Sequence, residues 1–535
     1  MSATFVKIHP KDNVVVALSE IRAGAKLQVD DTELVVNETV PQKQKLCLER
    51  LKIGESVVMY GVIVAKAIMP LKAGDLLTIC NVSHDIEPTF GKNKTLPWNT
   101  PDISLWKSKH FMGFHRNDGQ VGTANNWLFF PLVFCENRNI DILKDTFEKE
   151  LFPKVPNHYR RHLRKLLQKE NSPEEYKENT SHLDNINLRF ITHQGGCGGT
   201  KDDAMSLARL LAGYVNNPNV AGATVLSLGC QHLQIEVFKK ALEPLSSHAQ
   251  KPILIFEQQQ IGTTEQMLSE VIEKSFVEIQ LANEIKRAPA PLSELNIGLE
   301  CGGSDGFSGI SANPTLGYVS DVLAALGGCS ILAEFPELCG VEQDLVDRCV
   351  NDEIAHKFLT LMQNYNQNAK NVGSGFDMNP SPGNIKDGLI TDAIKSAGAA
   401  KKGGTSPIVD VLDYTQYLSK KGLNLLCTPG NDVESTTAMV GSGANLVLFT
   451  TGLGTPTGNP ITPVIKIASN TELCEKMPDI IDFDTGAIIR GEKSIEEIGE
   501  LLLELIIEVA SGRHMINADR HQQFDFIPWK RGVSL

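Results

Sequence analysis

The hydrophobic positions of this chain follow two regimes. Over residues 1 to about 85, short β-prone runs at 14–18 and 57–64 lie between glycine turns. A faint echo recurs there: Ile21-Arg22-Ala23-Gly24, Leu51-Lys52-Ile53-Gly54 and Leu71-Lys72-Ala73-Gly74 each precede an apolar, strand-like segment. Short strands closed by glycine turns predict a small all-β domain. Residues 86–110, with Pro88, Pro97 and Pro101 among polar neighbours, carry no periodicity and read as a linker.

From about residue 111 the pattern changes. Apolar runs at 188–192, 223–228, 252–256, 295–299, 329–333, 408–412, 423–427 and 445–450 alternate with helical patterns, among them 204–215, 352–363 and 495–510. Continuous apolar strands between helices predict a buried parallel sheet. The expected fold class is α/β: a small all-β domain over 1–85, a linker over 86–110, a second lobe over 111–180 that includes a charged helical stretch at 160–170, and a Rossmann-like parallel-sheet domain over 181–535.

Composition narrows the function. The 535 residues are 41% hydrophobic and 21% charged, as in a soluble globular protein. A net charge of −13 argues against a nucleic-acid surface or a polybasic membrane patch. Met1 to Lys7 lack a basic region followed by an apolar core, and no apolar run approaches bilayer length. Eleven scattered cysteines do not form a disulfide scaffold, so a cytoplasmic protein with reduced thiols is expected.

The densest chemistry lies at Glu300-Cys301-Gly302-Gly303-Ser304-Asp305-Gly306-Phe307-Ser308-Gly309, between a predicted strand at 295–299 and a predicted helix at 315–326. Glycines let backbone approach a ligand closely, and a helix N-terminus favours an anion. Loops at the carboxyl ends of strands are where open α/β sheets place their sites. Ser304, Asp305 and Asn313 are therefore candidate substrate-binding residues. The spacing matches neither a P-loop nor a dinucleotide fingerprint, which counts against a nicotinamide-linked oxidoreductase.

Cys197, Cys230 and Cys301 all follow predicted strands beside glycines, and Cys135 could be a fourth. Were those strands adjacent and parallel, their thiols would converge. Thiolates are soft ligands for iron or zinc, and His193 adds an imidazole. Cys197, Cys230, Cys301 and His193 are thus the expected metal ligands, although no C-x-x-C pair demonstrates a metal. His193 is also the first candidate for a general base. Glu334 and Glu337, flanking Pro336 after a predicted strand, are candidates for base or metal ligand.

These blocks resemble the altronate and galactarate dehydratase family. Similar blocks run the length of the chain: His9-Pro10-Lys11-Asp12-Asn13, Asp118-Gly119-Gln120-Val121-Gly122, Leu228-Gly229-Cys230, Asn379-Pro380-Ser381-Pro382-Gly383-Asn384, Pro429-Gly430-Asn431-Asp432 and the turn at 452–456. Glu334-Phe335-Pro336-Glu337 and Pro429-Gly430-Asn431-Asp432 read like the altronate branch. The resemblance implies a β-clip, SAF-type fold for the first domain and a homodimer. It implies dehydration of a sugar acid, D-altronate foremost, to a 2-keto-3-deoxy acid. It also implies a divalent metal, Fe²⁺ or Mn²⁺, with an iron–sulfur cluster as the alternative. Turn chemistry alone would explain Ser381, Asn384, Asn431, Asp432 and Thr455; the resemblance makes them candidate substrate ligands.

The chain departs from the family pattern at charged positions. Ala124, Leu453, Gln231 and Ile385 stand where the family usually has charged residues, and Gln44, Met59 and Ala204 replace an expected His, basic residue and His. Leu and Ala cannot act as a bidentate carboxylate clamp. The pattern therefore implies a preserved fold with an altered pocket: another substrate, or a non-catalytic paralogue that binds a sugar acid or a protein partner.

Overall fold

A computed structural model describes residues 4–86, 88–151, 158–167, 183–245, 251–376, 380–532 and 534. The chain forms two compact units: Met1–Ala124, Arg209–Asn219 and Arg287–Arg531 make one, and Asn125–Ala208, Val220–Lys286 and Gly532–Leu535 the other. The boundary expected near residue 180 falls inside the second unit.

The α/β expectation holds. In the first unit, residues up to Ser83 form small antiparallel sheets: Phe5–Val6, Val14–Ala17 and Lys45–Cys47; Lys26–Val29 with Thr32–Val35; and Ser56–Met59, Val62–Ala67 and Val82–Ser83. The sequence echo is a structural one. Gly24, Gly54 and Gly74 have φ of 79°, 85° and 90°, and the same 3.1 Å turn bond precedes the next strand at Ala25, Glu55 and Asp75. A left-handed backbone repeated at each turn explains why glycine recurs.

The same unit contains a seven-stranded parallel sheet in the order Ile408–Leu412, Gly422–Leu426, Cys329–Leu332, Asn296–Cys301, Leu446–Thr451, Val464–Ala468, Phe483–Asp484. Its strands are apolar because both faces are covered. Leu299, Leu316, Val319 and Leu502 pack in one core, and Leu332, Phe335 and Leu425 join Val14, Val57 and Val64 of the N-terminal domain in another. Chain order reverses beside Asn296–Cys301: the next strand lies on one side and Leu446–Thr451 on the other. Such a switch point opens a crevice at the carboxyl ends of the strands.

The second unit is built on a four-stranded parallel sheet in the order Asn187–Phe190, Asn126–Pro131, Val220–Ser227, Ile253–Glu257. Trp127, Phe129, Leu226 and Met267 fill its core. The charged stretch expected at 160–170 is helical over His158–Leu166; residues 168–170 lie outside the described residues. Among the described residues no helix is long and apolar enough to cross a membrane.

Candidate active site

The central strand Asn296–Cys301 runs two residues beyond its predicted end, so Glu300 and Cys301 pair with Phe449 and Thr450 inside the sheet. Both side chains are buried. The neighbouring strand Cys329–Leu332 leads to Glu334, whose φ of 65° is left-handed and strained for a residue with a side chain. Thr428 Oγ1 accepts from Glu334 N at 2.8 Å, Thr428 O accepts from Phe335 N at 3.1 Å, and the strained corner is thereby held. Its carboxylate is turned inward, where Glu334 Oε2 accepts from Cys301 N at 3.3 Å.

Five groups meet there. The Cys301 thiol is 3.3 Å from Glu337 Oε2 and 3.6 Å from Glu334 Oε2. Lys402 Nζ lies 2.8 Å from Cys301 Sγ and 2.7 Å from Glu334 Oε2. Lys395 Nζ closes the other side at 2.6 Å from Glu337 Oε1. Lys395 lies in the helix Asp392–Ala399 and Lys402 in the turn Ala400–Gly403 that follows. That turn approaches the helix Ala312–Leu326 so closely that a Cβ at Gly317 would fall 2.3 Å from Lys401 O.

Burial and mutual charge set the protonation states. Burial, then the charge of Glu334, pushes the Cys301 thiol well above its ordinary range. Burial and the adjacent Glu334 likewise push Glu300 well up, and Ser435 Oγ donates to its Oε2 at 2.7 Å. Burial, then Glu337, raises Glu334. Burial opposes the charge on Glu337, but Lys395 and Lys402 outweigh it and hold that carboxyl low. Asp432, at the start of the helix Asp432–Gly441, is half-buried; burial and then Glu334 and Glu337 push it up to about 7. It lies against the glycine loop: a Cβ at Gly302 would fall 2.0 Å from Asp432 Oδ2.

The predicted residues distribute unevenly. Cys301, Glu334, Glu337 and Asp432 come together. Asp305 forms a separate buried knot, with Lys43 Nζ at 3.0 Å, Ser469 Oγ at 2.8 Å and Asn470 Nδ2 at 3.2 Å. Asn313 donates to Gly398 O and accepts from Thr450 Oγ1. Ser381 and Asn384 form a capping box, and Asn384 also donates to Ser304 O at 2.7 Å. Asn431 caps the Asp432 helix, and Thr455 Oγ1 is 3.1 Å from Thr457 Oγ1.

His193 is buried in the second unit, with Nε2–H donating to Pro131 O at 2.7 Å and Nδ1 accepting from Gly195 N at 3.1 Å. Both ring nitrogens are committed to backbone, so neither a lone pair nor a transferable proton is available for the expected roles of base and metal ligand. Cys197 and Cys230 also belong to that unit, and neither enters a cluster of closely spaced potential ligands among the described residues.

Lys395, Lys402, Glu300 and Ser435 were not legible as site residues. Glu300 did leave a signal, as a carboxyl ending an otherwise apolar strand. The two lysines leave none, because only the packing of a small-residue turn brings them inward.

Three family models match in succession along the chain. Residues 3–85 match the altronate/galactarate dehydratase SAF domain, 113–283 the D-galactarate dehydratase/altronate hydrolase second domain, and 292–534 the D-galactarate/altronate dehydratase C-terminal domain. The chain belongs to the altronate/galactarate dehydratase family. It is 33% identical to an altronate dehydratase of Bacillus subtilis over 99% of this chain and 100% of the relative. The same identity and shares hold for an altronate dehydratase of Escherichia coli. A galactarate dehydratase (L-threo-forming) of Escherichia coli is 31% identical over 97% of this chain and 95% of its own.

Within this family fold, the positions lacking the expected charges are neutral packing or backbone-binding groups. Met59 is buried in the apolar core, and Gln44 Nε2 donates to Lys386 O at 3.0 Å. Gln231 Oε1 accepts from Gly229 N at 2.7 Å while its Nε2 donates to Ser227 Oγ and Leu233 O. Leu453 N donates to Gly303 O at 2.9 Å, leaving its side chain part-exposed beside the glycine loop.

Proposed function

We propose that this hydro-lyase dehydrates an aldonate, D-altronate first among the candidates, to the 2-keto-3-deoxy acid. The observation that carries this reading is the buried Cys301–Glu334–Glu337 cluster clamped by Lys402 and Lys395, with Asp432 half-exposed beside it. Asp432 is the cluster member whose proton affinity lies near neutrality, which suits a group that must both take and return a proton. Ionised, it accepts the C2 proton of the aldonate. The electron pair passes into the substrate carboxylate as an enediolate, and the positive field of Lys395 and Lys402 stabilises that charge. The C3 hydroxyl leaves, taking the proton back from Asp432 as water, and the enol becomes the 2-keto acid.

The residues fit a divalent cation. Three donors, Cys301 Sγ, Glu334 and Glu337, lie within 4.8 Å of one another, and the Oε1 atoms of Glu300 and Glu334 are buried without an N–H donor. Fe²⁺ or Mn²⁺ held by those three residues would supply a Lewis acid for the substrate oxygens.

An anaerobic assay with Fe²⁺ or Mn²⁺, across aldonates and aldarates, tests the reading. A 2-keto-3-deoxy product from D-altronate is expected. Turnover of another acid alone would assign Leu453, Ala124 and Gln231 to a changed specificity. Folded, metal-loaded protein without any product would overturn dehydration and favour the binding-only paralogue.

A further inference from the structure

A second group of potential ligands adjoins the Cys301 cluster: Cys339 is two residues beyond Glu337, and Asp392 is three residues before Lys395. His84 follows the last strand of the N-terminal domain, Val82–Ser83. Cys339 follows the turn Phe335–Leu338, and Asp392 opens the helix Asp392–Ala399. One ligand atom from each lies within 4.8 Å of those from the other two. Tetrahedral zinc, with ligand bonds of about 2.0–2.3 Å, sets its ligands roughly 3.3–3.8 Å apart, so a small contraction would close the site.

Independent contacts hold the three segments together. The Ala393 amide donates to His84 Nδ1 at 3.4 Å. Thr391 Oγ1 donates to Val64 O at 2.8 Å, fixing the start of the Asp392 helix on the N-terminal domain. Gly340 has φ of 92°, and a Cβ there would fall 2.6 Å from Ile86 Cγ2, so the Cys339 turn and the His84 strand are in close contact. The donors are therefore placed before any ion arrives.

Asp392 supplies the second, separate observation. It is only 2% exposed, yet no N–H or O–H group donates to either carboxylate oxygen. The charges of Glu337 and Lys395 reach it, and the group that hydrogen-bonds to it is the Cys339 thiol, a weak donor. A buried carboxylate with unfilled lone pairs is costly unless a cation or proton meets it.

The geometry points to a mononuclear transition-metal site formed by His84, Cys339 and Asp392, suited to Zn²⁺ with a water in the fourth position. A thiolate, an imidazole and a carboxylate are a borderline-soft donor set, which favours zinc over magnesium or calcium. His84 is more than 200 positions from Cys339 and Asp392 in sequence, so the ion would clip the N-terminal domain to the parallel-sheet body. The site does not depend on the dehydration chemistry, and its test does not use turnover.

The experiment is a Co²⁺ titration of reduced, chelator-treated full-length protein, read by the thiolate-to-cobalt charge-transfer absorption, with Zn²⁺ displacing the cobalt. In a Cys301→Ala background, which removes the thiolate of the other cluster, the band is expected, and adding Cys339→Ser should abolish it. Asp392→Asn, nearly isosteric and verified as folded by circular dichroism, should weaken Co²⁺ binding by about tenfold or more. Absence of the band in Cys301→Ala, or a band unchanged there by both Cys339→Ser and Asp392→Asn, would overturn the site.

Discussion

Lys402 Nζ lies 2.7 Å from Glu334 Oε2, and only 1% of either side chain is exposed. Burial opposes charge on Lys402, but Cys301 and Glu334 outweigh it and keep the ammonium protonated. Breaking such a pair leaves an uncompensated buried charge. Lys402→Met should therefore cost about 3–5 kcal/mol in urea unfolding and abolish turnover. The double variant Lys402→Met, Glu334→Leu should lose less stability than the single one. Wild-type stability in Lys402→Met would mean that Glu334 is not charged in the folded protein.

Gly302 lies against Asp432. Because its Cβ would collide with Asp432 Oδ2, Gly302→Ala must displace that carboxylate, while the position itself does not have the left-handed φ of Gly303. A misplacement of about 1 Å typically costs on the order of 100-fold in rate. We expect that loss in kcat with an unchanged circular dichroism spectrum. Full activity in the variant would remove Asp432 from the chemistry.

Asp432 also sets a pH dependence. Its carboxyl is raised to about 7 from an ordinary 3.8, so the folded protein holds this proton more tightly than the unfolded chain. The associated stability is fully present below about pH 4 and is lost as pH rises through 7. Activity runs the other way, with kcat/KM rising through about pH 7 as the base ionises. Asp432→Asn should remove the stability slope, read from chemical denaturation, and abolish turnover.

His193 should remain neutral through the physiological range. Burial lowers its imidazole to about 4, against the opposing hydrogen bond to Pro131 O. Being depressed, it contributes stability that is present above about 6.5 and is lost as pH falls through 4. In a pH titration by NMR its ring signals should not move between pH 5 and 8. A midpoint near 6.5 would restore it as a candidate base.

Local pattern was sufficient for the elements and their class. Apolar runs such as 408–412 became buried parallel strands with the same bounds, Ile408–Leu412, and the repeated Ala/Ile-Gly turns became identical left-handed corners at Gly24, Gly54 and Gly74. The glycine loop after residue 299 also declared itself, because close backbone approach leaves glycines in the sequence. Cys301, Glu334 and Glu337 were legible because each follows a predicted strand; Asp432 was legible only through the family resemblance.

The partners of those residues were decided only by tertiary structure. Lys395 and Lys402 sit in a short helix and turn whose composition looks like an ordinary surface connection, and only packing of that turn against Gly317 aims both ammonium groups inward. His193 shows the converse: its sequence setting suggested a ligand, but the fold spends both ring nitrogens on Pro131 O and Gly195 N. Strand and turn propensities act over a few neighbouring residues and can be read along the chain. Charge pairing and proton affinity depend on burial and on groups about 3 Å away that are 30 to 100 residues distant in sequence, as Glu334 and Lys402 are from Cys301. Those quantities exist only once the chain has folded.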